Sequence, residues 1–324
     1  MNPKSTVAGK SLLTPWEFPD DLNGSLRYAE LHEKLGKLFN DIQTKAFSLL
    51  EFDRYSRETC KAFESDPWGL FRVALDQKVY PSIASLSLNV ALLVYLYARS
   101  QRWSFPQTDL LVRAALLHDV GMLFLPKPGL SMADRLTEKE KASFEAHPSV
   151  SMETVKGLGE SFESTQVALQ HHEQWSGGGY PGRLTGSQIH PWAAIVSVCL
   201  GFVGYVAKSG DTNSLPAYEA VKKLIQDQND RFHTSVVKDF VKAVGVYPPG
   251  SILLLSDGSI TRVVAVNETS VVRPSVRILI DHFGILFPKD TGRLLDLNDT
   301  PELFIARAVD LEELIPDGIV KSKR

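Results

Sequence analysis

The chain has 324 residues, 44% of them hydrophobic and 23% charged, with a formal net charge of -3 at pH 7, the composition of a globular protein long enough for two or more domains. This near-neutral balance, with no Lys/Arg cluster, argues against a binder of nucleic-acid polymers but not against a small anionic ligand. Cys60 and Cys199 lie far apart with no CxxC neighbour, so they read as reduced, buried residues of a cytoplasmic protein rather than as a disulfide or a zinc pair.

The N-terminal stretch Met1 to Asp21 is polar and broken by Pro3, Pro15 and Pro19, which is the pattern of neither a signal peptide nor an anchor. No apolar run has the length of a membrane span; Val90 to Ala98 is the longest candidate and is too short. From Leu26 to about Leu50, apolar residues recur at Tyr28, Leu31, Leu35, Leu38, Ile42 and Leu49, the three-and-four spacing of one helix face. Such a stripe either packs on its own domain or pairs two subunits as a homodimer. Lys45 interrupts it and the heptads are too few for a coiled coil, which favours packing within the domain.

From Asp66 to about Val244 the pattern is helix after helix. Ile83 to Ser100 reads as one helix, and Thr108 to His118 as a second, entered through Phe105-Pro106-Gln107 with Thr108 as its cap. Its last residues, Ala114-Ala115-Leu116-Leu117-His118-Asp119, are apolar until a His-Asp pair, and ionisable groups at the edge of a core need something that compensates their charge. Thr137 to His147 reads as a third helix, with Glu138 and Glu140 in its first turn and His147-Pro148 at its end. Glu163 to Gln174 is a fourth, terminated by Gly177-Gly178-Gly179, so that His171 and His172 fall in its last turn. Trp192 to Ala207 is apolar on nearly every face and therefore central, and Ala217 to Val244 completes the helical part. Beyond Val246-Tyr247-Pro248-Pro249-Gly250, the runs Ile252 to Leu255, Ile260 to Val266 and Val276 to Asp281 read as strands joined by hairpins, followed by a mobile tail, Lys321 to Arg324. The expected architecture is mainly α: an N-terminal helical segment over 1–65, a helical domain over 66–244 and a small β-rich extension over 245–324.

His118, Asp119, His147, His171 and His172 lie at the ends of three successive predicted helices, and a bundle can bring such ends into one inward-facing cluster. Imidazole and carboxylate without sulfur suit iron, manganese or zinc in hydrolytic work better than structural zinc. Four of these five are drawn from the chain's eight histidines. Spacing alone leaves metal binding and helix capping equally open. Elsewhere, His190 and His233 read as surface or capping residues, Trp175 as an anchor of the glycine-rich loop, and Thr137 to Lys141 as a solvated helix face. Glu173 reads as a carboxylate that holds a neighbouring imidazole in its tautomer.

The series His118-Asp119-Val120-Gly121, His147, His171-His172-Glu173, Gly177, Gly179-Tyr180-Pro181, Leu184, Gly186 and Ile189 resembles the HD-GYP domain, the bacterial phosphodiesterases that hydrolyse cyclic di-GMP. The resemblance covers about Tyr80 to Gly250, and Gly245 to Ser251 with Ser256-Asp257-Gly258 looks like the β extension often fused to such domains. It implies an HD-type helical bundle whose core holds two or three metals, usually iron or manganese. It also implies that His118, Asp119, His147, His171 and His172 are metal ligands, with Asp119 bridging and central to catalysis. Gly179, Tyr180, Pro181 and Arg183 would then face the nucleotide, with Arg183 the nearest cation for a phosphate.

The departures from that pattern fall together. Leu86 stands where the family has an early histidine, Ser82 where some members have a glutamate, and Leu200 and Val203 where it has aspartates. Met122 replaces the lysine after HD-x-Gly, and Ser176 the aspartate opening the loop. The metal position shared by the early histidine, His118, Asp119 and the late aspartate has lost two members to leucine, which cannot ligate, while its neighbour, Asp119, His147, His171 and His172, is intact. The sequence thus predicts at most one divalent transition metal, with His118 as a fifth ligand or a supporting residue. The implied protein is a degenerate HD-GYP member, a cyclic di-GMP-related sensor or module for a protein partner with weak or no hydrolysis. The competing reading is a functional metal-dependent phosphodiesterase acting on cyclic di-GMP or a related cyclic dinucleotide.

Overall fold

The computed structural model describes residues 22–76, 82–125, 137–207, 214–267, 269–288 and 291–309. The predicted N-terminal stretch Met1 to Asp21 and the tail Lys321 to Arg324 lie outside the described residues. The helical part runs α1 (Leu22–Gln43), α2 (Leu49–Ser65), α3 (Pro67–Asp76), α4 (Ile83–Ser100), α5 (Phe105–Leu117), α6 (Glu138–Glu145), α7 (His147–Gly157), α8 (Phe162–Gln170), α9 (Pro191–Val206), α10 (Ala217–Gln226) and α11 (Thr234–Val244). Strands β1 (Ile252–Leu255), β2 (Ile260–Ala265), β3 (Ser275–Ile280), β4 (Leu294–Asp296) and β5 (Ile305–Val309) follow. The architecture is mainly α with a small C-terminal antiparallel sheet, as the sequence predicts.

The apolar stripe of the N-terminal segment divides between two helices. Lys45 sits at φ 61° in the link between them, so the helix stops at Gln43 and Leu49 opens α2, largely exposed. Tyr28, Leu31, Leu35, Leu38 and Ile42 are buried in the same core as residues up to Val244, each contributing roughly 1.5–3 kcal/mol by leaving water. These five members of the stripe are spent within the chain, the packing the sequence favours.

Helix α4 is the axis of the bundle. It packs against α5, α9 and α11, and every residue from Ile83 to Ala98 is buried. By length and composition alone this helix could cross a membrane, a longer candidate than Val90 to Ala98. Here 89% of it is covered by the protein's own helices. Cys60 and Cys199 are free and buried.

Helix ends correct three expectations. Helix α5 starts at Phe105 rather than Thr108, because Ser104 and Gln107 form a capping box and Pro106 is tolerated in the first turn. Thr137 and Glu140 cap α6 in the same way, and no residue of α6 is buried, as expected of a solvated face. That helix ends at Glu145, and His147-Pro148 opens α7 instead of closing α6. Helix α8 ends at Gln170, so His171 and His172 lie just beyond it. The imidazoles of His190 and His233 accept from the backbone N–H of Trp192 and Ser235 and cap α9 and α11, the capping role predicted for them.

The sheet has strand order β4-β3-β2-β1-β5, antiparallel throughout. Pairs such as Leu253 with Thr261 and Val263 with Val276 fix its register. It buries its own cluster around Leu253, Leu255, Val263, Val276, Leu295 and Leu297.

Candidate metal centre and ligand cavity

Asp119 stands immediately after α5, at the start of a 3-10 turn, Val120–Phe124. The turn lies against the start of α7, where Gly121 N donates to Ser151 Oγ at 2.8 Å. A Cβ on Gly121 would come within 2.5 Å of both His147 O and Ser151 N, so glycine is what lets the turn carrying Asp119 approach the helix that starts with His147. One ligand atom each from Asp119, His147, His171 and His172 then lie within 4.8 Å of one another.

The tautomers follow from the backbone. Nδ1 of His118 lies 2.7 Å from Ala115 O, Nδ1 of His147 2.6 Å from Phe144 O, and Nδ1 of His171 3.0 Å from Ala168 O. A carbonyl oxygen only accepts, so each Nδ1 carries the proton and donates, which in a neutral ring leaves the Nε2 lone pair facing inward. His147 Nε2 and His171 Nε2 lie 3.0 and 3.2 Å from Asp119 Oδ1 and 3.3 Å from each other. Asp119 Oδ1 is buried and nonetheless has no hydrogen-bond donor. His118 stands to one side, its Nε2 3.4 Å from Asp119 Oδ2 and also without a partner.

Burial resists charge on Asp119, but His118 beside it outweighs burial and holds the carboxyl well below the usual range. Burial pushes His171 down to about 4, only partly offset by Asp119. Burial, with His171 and His147 beside it, also pushes His172 well down. For His118 the same burial is outweighed by Asp119, which raises its pKa. A carboxylate gathered with imidazole nitrogens is a donor set that fits a divalent cation. Ligands about 2.1 Å from an ion lie at the separations seen here, and the rings of His147 and His171 are each oriented by a carbonyl on the far side as ligating histidines are.

The loop beyond the cluster is fixed from beneath. Glu173 is buried and accepts from Gly182 N at 2.5 Å and Leu184 N at 2.9 Å. It therefore holds the loop backbone, not an imidazole, and the tautomer role expected of it belongs to carbonyls of α5, α6 and α8. Gly179 is buried where a side chain would collide with the backbone of His172, Glu173 and Gln174. Tyr180 stacks on His172 at 4.7 Å and 22°, and the peptide to Pro181 is cis. Trp175 anchors the loop, its N–H donating to Arg231 O at 3.0 Å and its ring meeting His233 at 4.1 Å. Ser176 bonds Asp230 through both backbone and hydroxyl, each at 2.8 Å. Pro181 and Arg183 are exposed, Arg183 with φ 52°.

A cavity of about 680 Å³ opens beside the cluster, lined on one side by His171, His172 and Tyr180 and on the other by Leu200, Tyr205 and Arg231, among others. Arg183, the cation singled out from the sequence, is not among its lining residues. Arg231 is, and no local motif marked it. It sits in the α10–α11 connection, brought to the cavity by the backbone bond to Trp175.

The HD domain family model matches residues 71–236, half the chain, and a KOW domain associated with HD domain matches residues 252–316. The chain belongs to the HD domain family, and its motifs place it with the HD-GYP proteins. Among curated relatives it is 30% identical over 195 residues to cyclic di-GMP phosphodiesterase PA4108 of Pseudomonas aeruginosa, covering 59% of this chain and 46% of that one. It is 25% identical over 213 residues to cyclic di-GMP phosphodiesterase PdeB of Borreliella burgdorferi, covering 66% and 54%. The chain thus spans about half the length of these relatives. Bd1817, an HDG"Y"P protein from Bdellovibrio bacteriovorus, shares the fold with a TM-score of 0.54 at 18% identity, over 70% of this chain and 74% of that one.

Proposed function

We propose that this chain is a cyclic-dinucleotide-binding HD-GYP protein with one divalent transition metal, iron or manganese, held by Asp119, His147, His171 and His172. In this reading hydrolysis is weak or absent, and the protein reports ligand occupancy to a protein partner. The observation that carries the reading is the orphaned Asp119 Oδ1 among imidazole lone pairs, beside a cavity whose facing wall presents Leu200. The names of the relatives direct the choice of cyclic di-GMP as ligand.

When bound, such an ion supplies a Lewis acid for a phosphoryl oxygen. The chain's own residues do the rest. Asp119 brings the negative charge that holds the cation, His118 supports that carboxylate, and Tyr180 on His172 offers a flat face to a base. Glu173 keeps Gly179, Tyr180 and Pro181 in register above the cluster. Leu86 and Leu200 offer no ligand for a second ion, so the clamp that two metals place on attacking and leaving oxygens is missing.

The test is metal analysis of the purified protein, followed by incubation with cyclic di-GMP and manganese or iron and chromatography for linear dinucleotide and GMP. The expected result is about one equivalent of metal and bound, unconverted nucleotide. A functional phosphodiesterase is the second reading, favoured by the convergence of the four ligand residues. Robust product formation abolished by Asp119→Ala would select it over the sensor.

A further inference from the structure

The wall opposite the histidines is built around Arg231. Its backbone N–H donates to Asp227 O at 2.9 Å, and its carbonyl accepts from Trp175 N at 3.0 Å. The guanidinium lies 5.3 Å from the Phe232 ring centroid and 5.9 Å from that of Tyr205, and its Nη1 donates to Tyr205 Oη at 3.0 Å. The Tyr205 hydroxyl spends its own proton on the Asp227 carboxylate, which Lys223 also engages at 2.7 Å. Asp227 is thereby neutralised by other groups, and no described carboxylate lies within ion-pair distance of Arg231. The guanidinium uses one of its five N–H donors on Tyr205 and is exposed to the cavity mouth with the rest.

A surface arginine is ordinarily a solvated charge on a mobile stem. This one is oriented by two rings and a hydroxyl, and it is the one cation among the described residues lining the cavity that contains His171 and His172. A planar, pre-oriented guanidinium fits a phosphate better than a point charge does. We propose that Arg231 is a second anion subsite, which takes the phosphodiester of a cyclic dinucleotide that does not sit at the histidine cluster, so that the cavity selects ligands carrying two phosphates. The proposal rests on the cyclic-dinucleotide reading above and adds how that ligand is told from a cyclic mononucleotide.

Calorimetric titration of the metal-loaded full chain with cyclic di-GMP, and with 3',5'-cyclic GMP as a one-phosphate probe, tests it. Arg231→Ala should weaken cyclic di-GMP binding by about tenfold or more, the usual scale of a lost charge-assisted contact. Cyclic GMP binding should stay within about twofold, and Arg231→Lys should recover part of the loss. Where cyclic GMP binds too weakly to titrate, the loss in Arg231→Ala and its recovery in Arg231→Lys decide the matter. Unchanged metal content and melting temperature in both variants separate a subsite from a folding defect. Wild-type protein that binds cyclic di-GMP only as tightly as Arg231→Ala does overturns the subsite alone, as does an equal loss for both ligands. Wild-type protein that binds no cyclic di-GMP overturns the cyclic-dinucleotide reading and the subsite together.

Discussion

The two walls of the cavity are made of opposite materials. One wall presents His171, His172 and Tyr180, and behind it Asp119 lies 3.0 and 3.2 Å from His147 and His171, with buried polar atoms left without partners. The wall from α9 presents Ser197, Leu200, Gly201 and Gly204, and offers an ion nothing stronger than a hydroxyl. Packing alone would favour the second kind of wall everywhere, since a buried acceptor without a donor costs about 1–3 kcal/mol. The chain bears the costly arrangement on one side of the cavity and an apolar wall on the other. That contrast is what the proposed single-ion reading rests on.

The sharpest way to break the comparison is to remove the charge at its centre. Asp119→Ala leaves the imidazoles without the anion that holds a divalent cation, and metal content should fall from about one equivalent to none, read by elemental analysis after dialysis. Retention of the full equivalent would mean that the ion sits elsewhere.

The second test changes the apolar wall at Leu200 and adds a ligand type at Leu86 of α4. Leu86→His with Leu200→Asp restores ligand types at the two positions where the family pattern has them. Metal content should rise from about one towards two equivalents, with conversion of cyclic di-GMP rising in parallel. Leu200 is only half-buried and already faces the cavity, so an aspartate there can be solvated before it ligates. A double variant that folds and still holds one equivalent would show that more than Leu86 and Leu200 keeps a second ion out.

How much of this was legible in the sequence differs between the walls. The residue types of the polar wall could be read from the chain, because histidine and aspartate at helix ends carry their chemistry with them. Their placement was less legible. Only Ala146 separates α6 from α7, and His147-Pro148 serves equally as a helix stop or a first turn, so the break left no glycine signal. Helix α8 ends four residues early because the first residues past its end, His171 and His172, are held by tertiary contacts that no local propensity encodes. Arg231 was invisible for the same reason: it reaches the cavity through a backbone bond to Trp175, 56 positions earlier in the numbering. Helix α4, buried almost throughout and free of internal breakers, is legible at both ends.

Glu173 sharpens the comparison from beneath the polar wall. It is buried and accepts two backbone N–H groups of the loop, so Glu173→Ala strands two donors and should cost about 1–3 kcal/mol in urea denaturation. Metal content should remain near one equivalent, because the carboxylate bonds the loop and not a ligand ring. A parallel loss of metal would restore the tautomer role the sequence suggested for it.

The smallest effect belongs to the apolar wall's own mounting. His190 caps α9 through Nδ1, which accepts from Trp192 N at 3.2 Å, and His190→Ala should cost about 0.5–1 kcal/mol, the low end of the range for lost N-caps. The cap requires a neutral ring, and burial lowers the His190 pKa. A lowered folded pKa means the contribution is complete above the unfolded value of about 6.5 and is lost as pH falls through the folded one. Unfolding midpoints of wild type and His190→Ala should therefore differ most at neutral pH and converge in mild acid. A difference that grows on acidification would show that the ring acts there as a cation, and that the wall opposite the metal cluster is held by charge after all.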